Sequence, residues 1–319
     1  MQACFISCKL IMTKLGKLIG RISQHERKET IKLPFLTRQD AKIYYEVEGE
    51  GYPIVFIHGM GLSHINWREQ VKHVTAHGFQ SICIDVRGHG QSSATNCSYA
   101  EHNPLAQCCM DIVHLMNELE IEHAVMIGYS TGTAIAQQLA LTYPEKVKGL
   151  FLSGAFPVVN NLYLQGKFRM ALFLTQLRAR RVLAKSVARS NGKDREQIEQ
   201  FKKIAIKVNR KEAIRLMKAS LLFDCRERLK EITVPMLINY GGNETHMMTY
   251  RHDYLTYAPT AEVCLFPHVN HATPTKSTEE YNRVLLDFIQ SLELPEQPPY
   301  FFNPSSINPT PNPMNTSFE

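Results

Sequence analysis

The chain has 319 residues, 44% of them hydrophobic, and its 36 Lys and Arg against 30 Asp and Glu give a net charge of +6. Gly and Pro number 17 and 16 and follow no period, which excludes a collagen-like chain and a chain that is disordered over most of its length. No run of about 18 apolar residues occurs, so a membrane-spanning helix is excluded as well. One large domain, alone or with an insertion, remains.

The N-terminal segment, residues 1–32, is basic and is expected to be flexible. Over residues 9–22 cations interleave with apolar side chains, which fits either an amphipathic helix on a membrane surface or a frayed tail. Most of these cations follow the apolar run at residues 3–10, so a cleavable signal peptide is not expected. Eight cysteines without a CxxC pair favour a reducing compartment, and we expect a cytoplasmic protein.

Residues 33–157 and 233–294 alternate short apolar runs with helical patterns, which predicts an α/β fold with a doubly wound, mostly parallel sheet. A hairpin is expected at residues 34–48, ahead of this sheet. The predicted buried strands are residues 53–57, 81–84, 124–127, 149–152, 236–240 and 263–266. The predicted helices are residues 103–119, 131–143 and 278–292, the last beginning with a capping box formed by Ser277 and Glu280.

Residues 158–232 carry 19 Lys and Arg against 7 Asp and Glu, and they are rich in Leu and Ala. This composition predicts a helical lid over the sheet. Its charge and apolar side chains fit a substrate with an apolar body and an anionic end, peripheral contact with acidic lipid, or simply a solvated basic face. Nucleic-acid binding is not expected, because no recognised module is present. Residues 295–319, rich in Pro and Asn, are expected to form a disordered tail.

A G-x-S-x-G motif lies directly after one predicted strand and directly before a predicted helix. That context is the one required for a nucleophilic serine on a sharp turn, so Ser130 is the expected nucleophile. Gly128 and Gly132 remove side chains where the turn is crowded. The helix that begins at Thr131 would direct its N–H groups toward an anion forming beside the serine.

A serine hydroxyl needs a general base, and the base needs an orienting carboxylate. Two histidines, His268 and His271, follow the last predicted strand, and His271 is preferred because it lies further into the loop. Glu244 is the first carboxylate after the strand at residues 236–240 and is the preferred acid. Asp224, just before that strand, is the alternative, although it could equally cap a helix.

An oxyanion hole needs two backbone donors, and the N–H groups of Thr131 and Met60 are expected to supply them. Met60 belongs to a glycine-lined turn after an earlier strand, made of His58, Gly59, Met60 and Gly61. A third motif, DVRGHGQS at residues 85–92, is interpreted as structural support. Neither an HExxH motif nor a phosphate loop occurs, so no metal or cofactor is expected.

Taken together, these motifs resemble the α/β-hydrolase fold family over about residues 33–292. Ser130, Glu244 and His271 follow the family's order, although many relatives carry Asp at the position of Glu244. The resemblance implies a serine hydrolase that cleaves a carboxylic ester of a small, largely apolar substrate. Hydrolysis of a carbon–carbon or lactone bond by the same triad, and a catalytically slow ligand-binding receptor on this fold, are the alternatives.

Overall fold

The computed structural model describes residues 34–96 and 102–294 of the 319. The predictions for the basic segment at residues 1–32, including the amphipathic pattern at residues 9–22, lie outside the described residues. So does the prediction for the tail at residues 295–319.

The described residues contain one eight-stranded sheet, in the order β1-β2-β4-β3-β5-β6-β7-β8. Strands β1 and β2 form an antiparallel hairpin, β2 pairs antiparallel with β4, and every other pairing is parallel. The predicted doubly wound, mostly parallel sheet is therefore confirmed. The strands are β1 Phe35–Thr37, β2 Lys42–Glu48, β3 Tyr52–Ile57, β4 Phe79–Ile84, β5 Ala124–Tyr129, β6 Val147–Ser153, β7 Met236–Gly241 and β8 Ala261–Phe266.

Eleven α-helices lie in the described part of the chain, and helices cover both faces of the sheet. They are α1 Arg68–Ala76, α2 Pro104–Glu118, α3 Thr131–Thr142, α4 Leu162–Gln176, α5 Arg180–Asn191, α6 Arg195–Ala205, α7 Arg210–Leu222, α8 Thr245–Met248, α9 Arg251–Tyr257, α10 Thr273–Lys276 and α11 Thr278–Ser291. Helices α2 and α3 bury side chains in one apolar cluster, and α1 and α11 in the other. Because both faces are covered, β3 and β5 are buried at every residue.

The capping box predicted for the last helix is wrong in its details. Ser277 caps no backbone N–H with its side chain, and its hydroxyl donates instead to the Glu280 carboxylate at 3.2 Å. The reason lies in the preceding turn. The Ser277 N–H, to which the Glu280 side chain would bind in a capping box, already donates to Thr273 O at 3.1 Å, because a single residue, Ser277, separates α10 from α11.

Residues 158–232, which we call the insert, form helices α4 to α7 and a short 3₁₀ helix at Arg226–Glu231. The insert follows β6 and packs on the core through aromatic and backbone contacts. The rings of Phe168 and Phe156 lie 6.0 Å apart, and Asn209 N donates to Gly88 O at 2.8 Å. Within the described residues, no helix combines the length and apolar character needed to cross a membrane.

A buried ion cluster holds the loop after β4, which carries the DVRGHGQS motif. The Arg87 guanidinium donates to both carboxylate oxygens of Asp111, at 2.6 and 2.8 Å, and also pairs with Asp40. Only 3% of the Arg87 side chain is exposed. In the same loop, Asp85 accepts hydrogen bonds from the backbone N–H groups of His64 and Gln91. These contacts agree with the interpretation of the motif as structural support.

Replacing Arg87 should destabilise the fold far more than breaking an exposed ion pair of similar length. Arg87→Met removes two hydrogen bonds from the buried Asp111 carboxylate and leaves it with Arg38 at 3.3 Å, and we expect the free energy of unfolding to fall by about 3 to 5 kcal/mol. The control is Arg226→Met. It breaks a 2.7 Å pair with Asp224 that is 38% exposed on the arginine side, and we expect a loss below about 1 kcal/mol. Urea unfolding measures both, and equal losses would contradict the expectation.

Candidate active site

The site lies at the carboxyl ends of the central strands, where the strand order reverses. Strands β3 and β5 are neighbours, with Ile57 paired to Gly128, so the loops after these two strands leave the sheet side by side. In open α/β sheets this reversal point creates a crevice that holds ligands. The loops after β6, β7 and β8 converge on the same edge because these strands run parallel to β5.

Ser130 occupies a strained turn between β5 and α3. Its backbone has φ 52° and ψ −117°, a conformation that residues other than glycine rarely adopt. The Ser130 N–H donates to Ser153 O at 2.9 Å, which holds the turn against β6. A Cβ on Gly132 would lie 2.2 Å from Ile57 O, and one on Gly128 would lie 2.9 Å from Gly132 O. Both glycines are therefore required by close backbone approach.

His271 and Glu244 form a hydrogen-bonded pair beside this turn. His271 Nδ1 lies 2.8 Å from Glu244 Oε2, and Glu244 is buried. The Glu244 N–H donates to Gly241 O, so a tight turn after β7 directs the carboxylate toward the loop after β8. With Nδ1 engaged, Nε2 is the ring nitrogen left for proton transfer. Ser130 and His271 line one cavity, and no hydrogen bond joins their side chains within the described residues.

The two alternatives from the sequence lie elsewhere. Asp224 is paired with Arg226 on the protein surface, and the hydrogen bond from that arginine lowers the pKa of the aspartate. His268 is exposed in the turn after β8, with φ 67°, and does not line the cavity. The structure thus brings His271 and Glu244 together beside Ser130, and brings neither Asp224 nor His268 to that place.

Gly154 is a site residue that sequence reasoning missed. It follows β6 directly, has φ +61°, and a Cβ there would lie 2.5 Å from Cε1 of His271. Any side chain at this position would occupy the space that the imidazole fills. The available signal was a glycine immediately after a buried strand, at the same edge of the sheet as the serine.

Two backbone N–H groups are available near Ser130. Met60 and Thr131 line the cavity, and neither N–H donates to another acceptor in the described part of the chain. A Cβ on Gly59 would lie 3.2 Å from the Ser130 Cβ, so the absence of a side chain lets the Met60 turn approach the serine. Gly61, with φ +80°, completes the turn. This arrangement can receive an oxyanion.

His58 has a fixed, neutral form inside this turn. Its Nε2 accepts from the Val86 N–H at 3.0 Å, so the proton must reside on Nδ1, which donates to Gly59 O at 2.8 Å. Burial, with the nearby ring of His89, lowers the pKa of His58 to about 4 even though Asp85 acts in the opposite direction. The histidine therefore links the Met60 turn to the loop after β4 and is uncharged near neutral pH.

The cavity has a volume of about 740 Å³ and is walled mainly by apolar side chains of the insert. Among the described residues, Lys167 of α4 is the one Lys, Arg, Asp or Glu that lines it, and its Nζ lies 3.9 Å from Glu244 Oε1. The same Nζ lies 5.0 Å above the ring of Tyr163, which stacks on His246 at 4.1 Å. Within residues 34–96 and 102–294, no group of three or more His, Cys, Asp or Glu side chains could hold a metal ion.

The insert is also attached to the turn that carries the serine. Tyr129 donates its hydroxyl proton to Asn191 Oδ1 at 2.6 Å, and its ring lies 5.2 Å from that of His271. Burial, with Glu244 nearby, raises the pKa of Tyr129 well above its ordinary value, so the hydroxyl stays a donor. Thr275, four residues after His271, donates to the backbone oxygen of Asn191. The end of α5 is thereby held by the loops on both sides of the site.

Comparisons with known proteins agree with this architecture. A family model described as alpha/beta hydrolase fold matches residues 52–273, more than half of the chain. A non-heme haloperoxidase of Rhodococcus erythropolis is 26% identical over 278 residues, which cover 81% of this chain and 100% of that protein. An esterase from Exiguobacterium antarcticum superposes with a TM-score of 0.72 at 21% identity, covering 81% of this chain and 99% of its own. An enol-lactonase from Burkholderia xenovorans gives 0.71 at 17% identity, covering 81% and 100%.

Stability should fall as the pH decreases below neutrality, because His58 takes up its proton more readily in the unfolded chain. The unfolded histidine protonates near its ordinary pKa of 6.5 and the folded one near 4. The stability that neutral His58 contributes is therefore fully present above pH 6.5 and is lost as the pH falls toward 4. A difference of this size corresponds to about 3 kcal/mol. Urea unfolding at about pH 7 and about pH 4.5 measures the loss.

The matched variant is His58→Asn, whose side chain cannot be protonated. We expect it to be less stable than the wild type at neutral pH, because the hydrogen bonds to Gly59 and Val86 are weakened. Its stability should depend less on pH. An unchanged pH dependence would show that His58 does not carry the effect.

Proposed function

The chain belongs to the alpha/beta hydrolase fold family, and from that premise we propose that it is a serine hydrolase acting on carboxylic esters. Ser130 is the proposed nucleophile, His271 the general base, and Glu244 the carboxylate that orients the base. The observation that carries the proposal is the 2.8 Å hydrogen bond from His271 Nδ1 to Glu244, at the wall of the cavity that also exposes Ser130.

In the proposed mechanism Ser130 Oγ attacks the ester carbonyl while His271 Nε2 takes the hydroxyl proton. Glu244 stabilises the imidazolium that forms. The N–H groups of Met60 and Thr131 bind the oxyanion of the tetrahedral intermediate. When the intermediate collapses, the carbon–oxygen bond to the alcohol breaks, His271 gives its proton to the departing alkoxide, and an acyl-enzyme remains.

Water then releases the acid by the same groups in reverse order. His271 Nε2 removes a proton from the water as it attacks the acyl carbonyl, and the same two N–H groups bind the second oxyanion. Collapse breaks the bond to Ser130 Oγ, which regains its proton from His271. The products are one carboxylic acid and one alcohol, and the enzyme returns to its starting state.

The cavity supports a substrate with a largely apolar body. Its walls include the apolar side chains of Phe156, Phe168 and Met217. A volume of about 740 Å³ falls in the range of sites that enclose a small molecule. Such mainly apolar walls suit an ester whose acyl or alcohol part is hydrocarbon.

Fluorophosphonate labelling tests whether Ser130 is activated. The wild type should form a covalent adduct at Ser130, identified by peptide mapping, because an activated serine attacks phosphorus as it attacks a carbonyl. Ser130→Ala should remain folded and unlabelled, and His271→Ala should label at least about 100-fold more slowly because the base is missing. Undiminished labelling of Ser130→Ala would remove this serine from the role.

The pair Glu244→Gln and Asp224→Asn tests the choice of acid. Each variant removes one negative charge at constant size. We expect Glu244→Gln to lower kcat/KM for a short p-nitrophenyl ester by about 100-fold or more, since the amide cannot stabilise the imidazolium. Asp224→Asn should remain within about twofold of the wild type, because its partner is Arg226 on the surface. The reverse order would reassign the acid.

A substrate series completes the test. Hydrolysis of p-nitrophenyl esters of increasing chain length should improve with length until the cavity is filled. Labelling at Ser130 together with turnover of lactones or of carbon–carbon bonds, and none of any ester, would move the assignment to those reactions with the same triad. Labelling without turnover of any of these substrates would favour a ligand-binding protein.

A further inference from the structure

Helix α4 is apolar on two opposite sides. One side packs on the core through Leu164 and Phe168, which are buried. The other side exposes Leu162, Met170, Phe173 and Leu177, each more than half exposed, with 86% for Leu162. Their spacing of eight, eleven and fifteen residues places these four on one face of the helix. Such a stripe has no partner within the described part of the chain.

The exposed stripe is continuous with the cavity opening. Leu162, Tyr163 and Met170 of α4 and Val182 of α5 are exposed and also line the cavity that contains Ser130. Side chains that face solvent and cavity at once define the rim of the opening. The route into the site therefore passes between apolar side chains that water contacts.

The same helices carry cations without any balancing acid. Residues 158–193 contain eight Lys and Arg and no Asp or Glu. Five of these cations are exposed beside the stripe or on the start of α5, namely Arg169, Arg178, Arg180, Arg181 and Lys185. An apolar stripe flanked by cations matches the two layers of an anionic lipid surface, with hydrocarbon below and charged headgroups above.

We propose that this docking face, formed by Leu162, Met170, Phe173, Leu177 and Val182 with the five flanking cations, binds the surface of an anionic membrane. The apolar stripe enters the boundary between headgroups and acyl chains, and the cations contact the headgroup phosphates. Docking in this orientation places the cavity opening against the lipid. Resting on the proposed function, this implies that the esters hydrolysed are lipid-soluble and enter from the membrane.

Charge favours a membrane over a second copy of the chain. A symmetric dimer through this face would bring the cations of one subunit against those of the other. A soluble polyanion would match the cations and leave the apolar stripe in water. An anionic lipid surface satisfies both parts of the face at once.

The test is flotation with lipid vesicles, using the full chain with Ser130→Ala so that binding is measured without hydrolysis. Vesicles of phosphatidylcholine and phosphatidylserine in equal parts are compared with vesicles of phosphatidylcholine alone. We expect binding to the first kind only, and binding that weakens as salt is added. Removing two cations with Arg180→Gln and Arg181→Gln should lower the partition coefficient about 25-fold, at about fivefold for each cation.

The matched control for charge is Lys202→Gln with Lys203→Gln, an adjacent exposed pair on α6, which should change binding by about twofold or less. For the apolar stripe, Phe173→Gln with Leu177→Gln should weaken binding at least about tenfold. The corresponding control is Leu255→Gln with Leu265→Gln, two exposed leucines on α9 and β8. These should leave binding unchanged.

Three results would overturn the proposal. Equal binding to both kinds of vesicle would exclude charge recognition, and equal effects of the docking-face variants and their controls would assign binding to another part of the chain. The third result is that the chain does not bind vesicles and light scattering shows a dimer that dissociates in the Phe173→Gln, Leu177→Gln variant. The face would then be a contact between copies of the chain. Each of these results leaves the labelling of Ser130 in the wild type untouched, so the two proposals fail separately.

Discussion

The site depends on how closely the backbone after β3 approaches the start of α3. The parallel pairing of Ile57 with Gly128 brings the two chain segments together, and Gly132 allows contact because a Cβ there would lie 2.2 Å from Ile57 O. That approach sets the distance between the Met60 turn and Ser130, and hence the place of both backbone N–H groups. The strained φ of 52° at Ser130 persists because the surrounding sheet and helix determine it.

Around this contact the protein uses buried polar groups to keep loops in place. His58 links the Met60 turn to Val86, and Arg87 links the next residue of that loop to Asp111. Neither side chain touches the cavity. Their effect on the site is indirect, because a shift of the loop after β4 would pass through His58 to the N–H of Met60. Buried hydrogen-bonded groups suit this purpose, because moving them would leave a buried donor or acceptor without a partner, which is unfavourable.

The insert contributes to the site through more than its apolar walls. Tyr129 and Thr275 hold Asn191 at the end of α5, and Lys167 of α4 lies near the carboxylate of Glu244. The same helices present the apolar stripe and the cations of the proposed docking face. A change in the position of α4 or α5 would therefore alter their direct contacts with Tyr129 and Glu244. One pair of helices thus lines the cavity and also contacts Tyr129 and Glu244.

The motif around Ser130 could be interpreted from the sequence because its constraints are local. Strand, tight turn and helix follow each other within a few residues, and the glycines mark where backbone segments meet. The same holds for the hairpin at residues 34–48 and for the helical content of the insert. The choice between Glu244 and Asp224 was harder, because one carboxylate follows β7 and the other precedes it, and sequence alone does not show which of them reaches the histidine.

Contacts between segments that are distant in the sequence could be learned only from the tertiary structure. It showed that Glu244 reaches His271 while Asp224 pairs with Arg226, and that Gly154 makes room for the imidazole. It also showed which side of α4 stays exposed, which periodicity could not indicate because that helix is apolar on both sides. Local backbone chemistry thus determined the fold class and the strained turn at Ser130, whereas the partners of each side chain followed from packing across the carboxyl edge of the sheet.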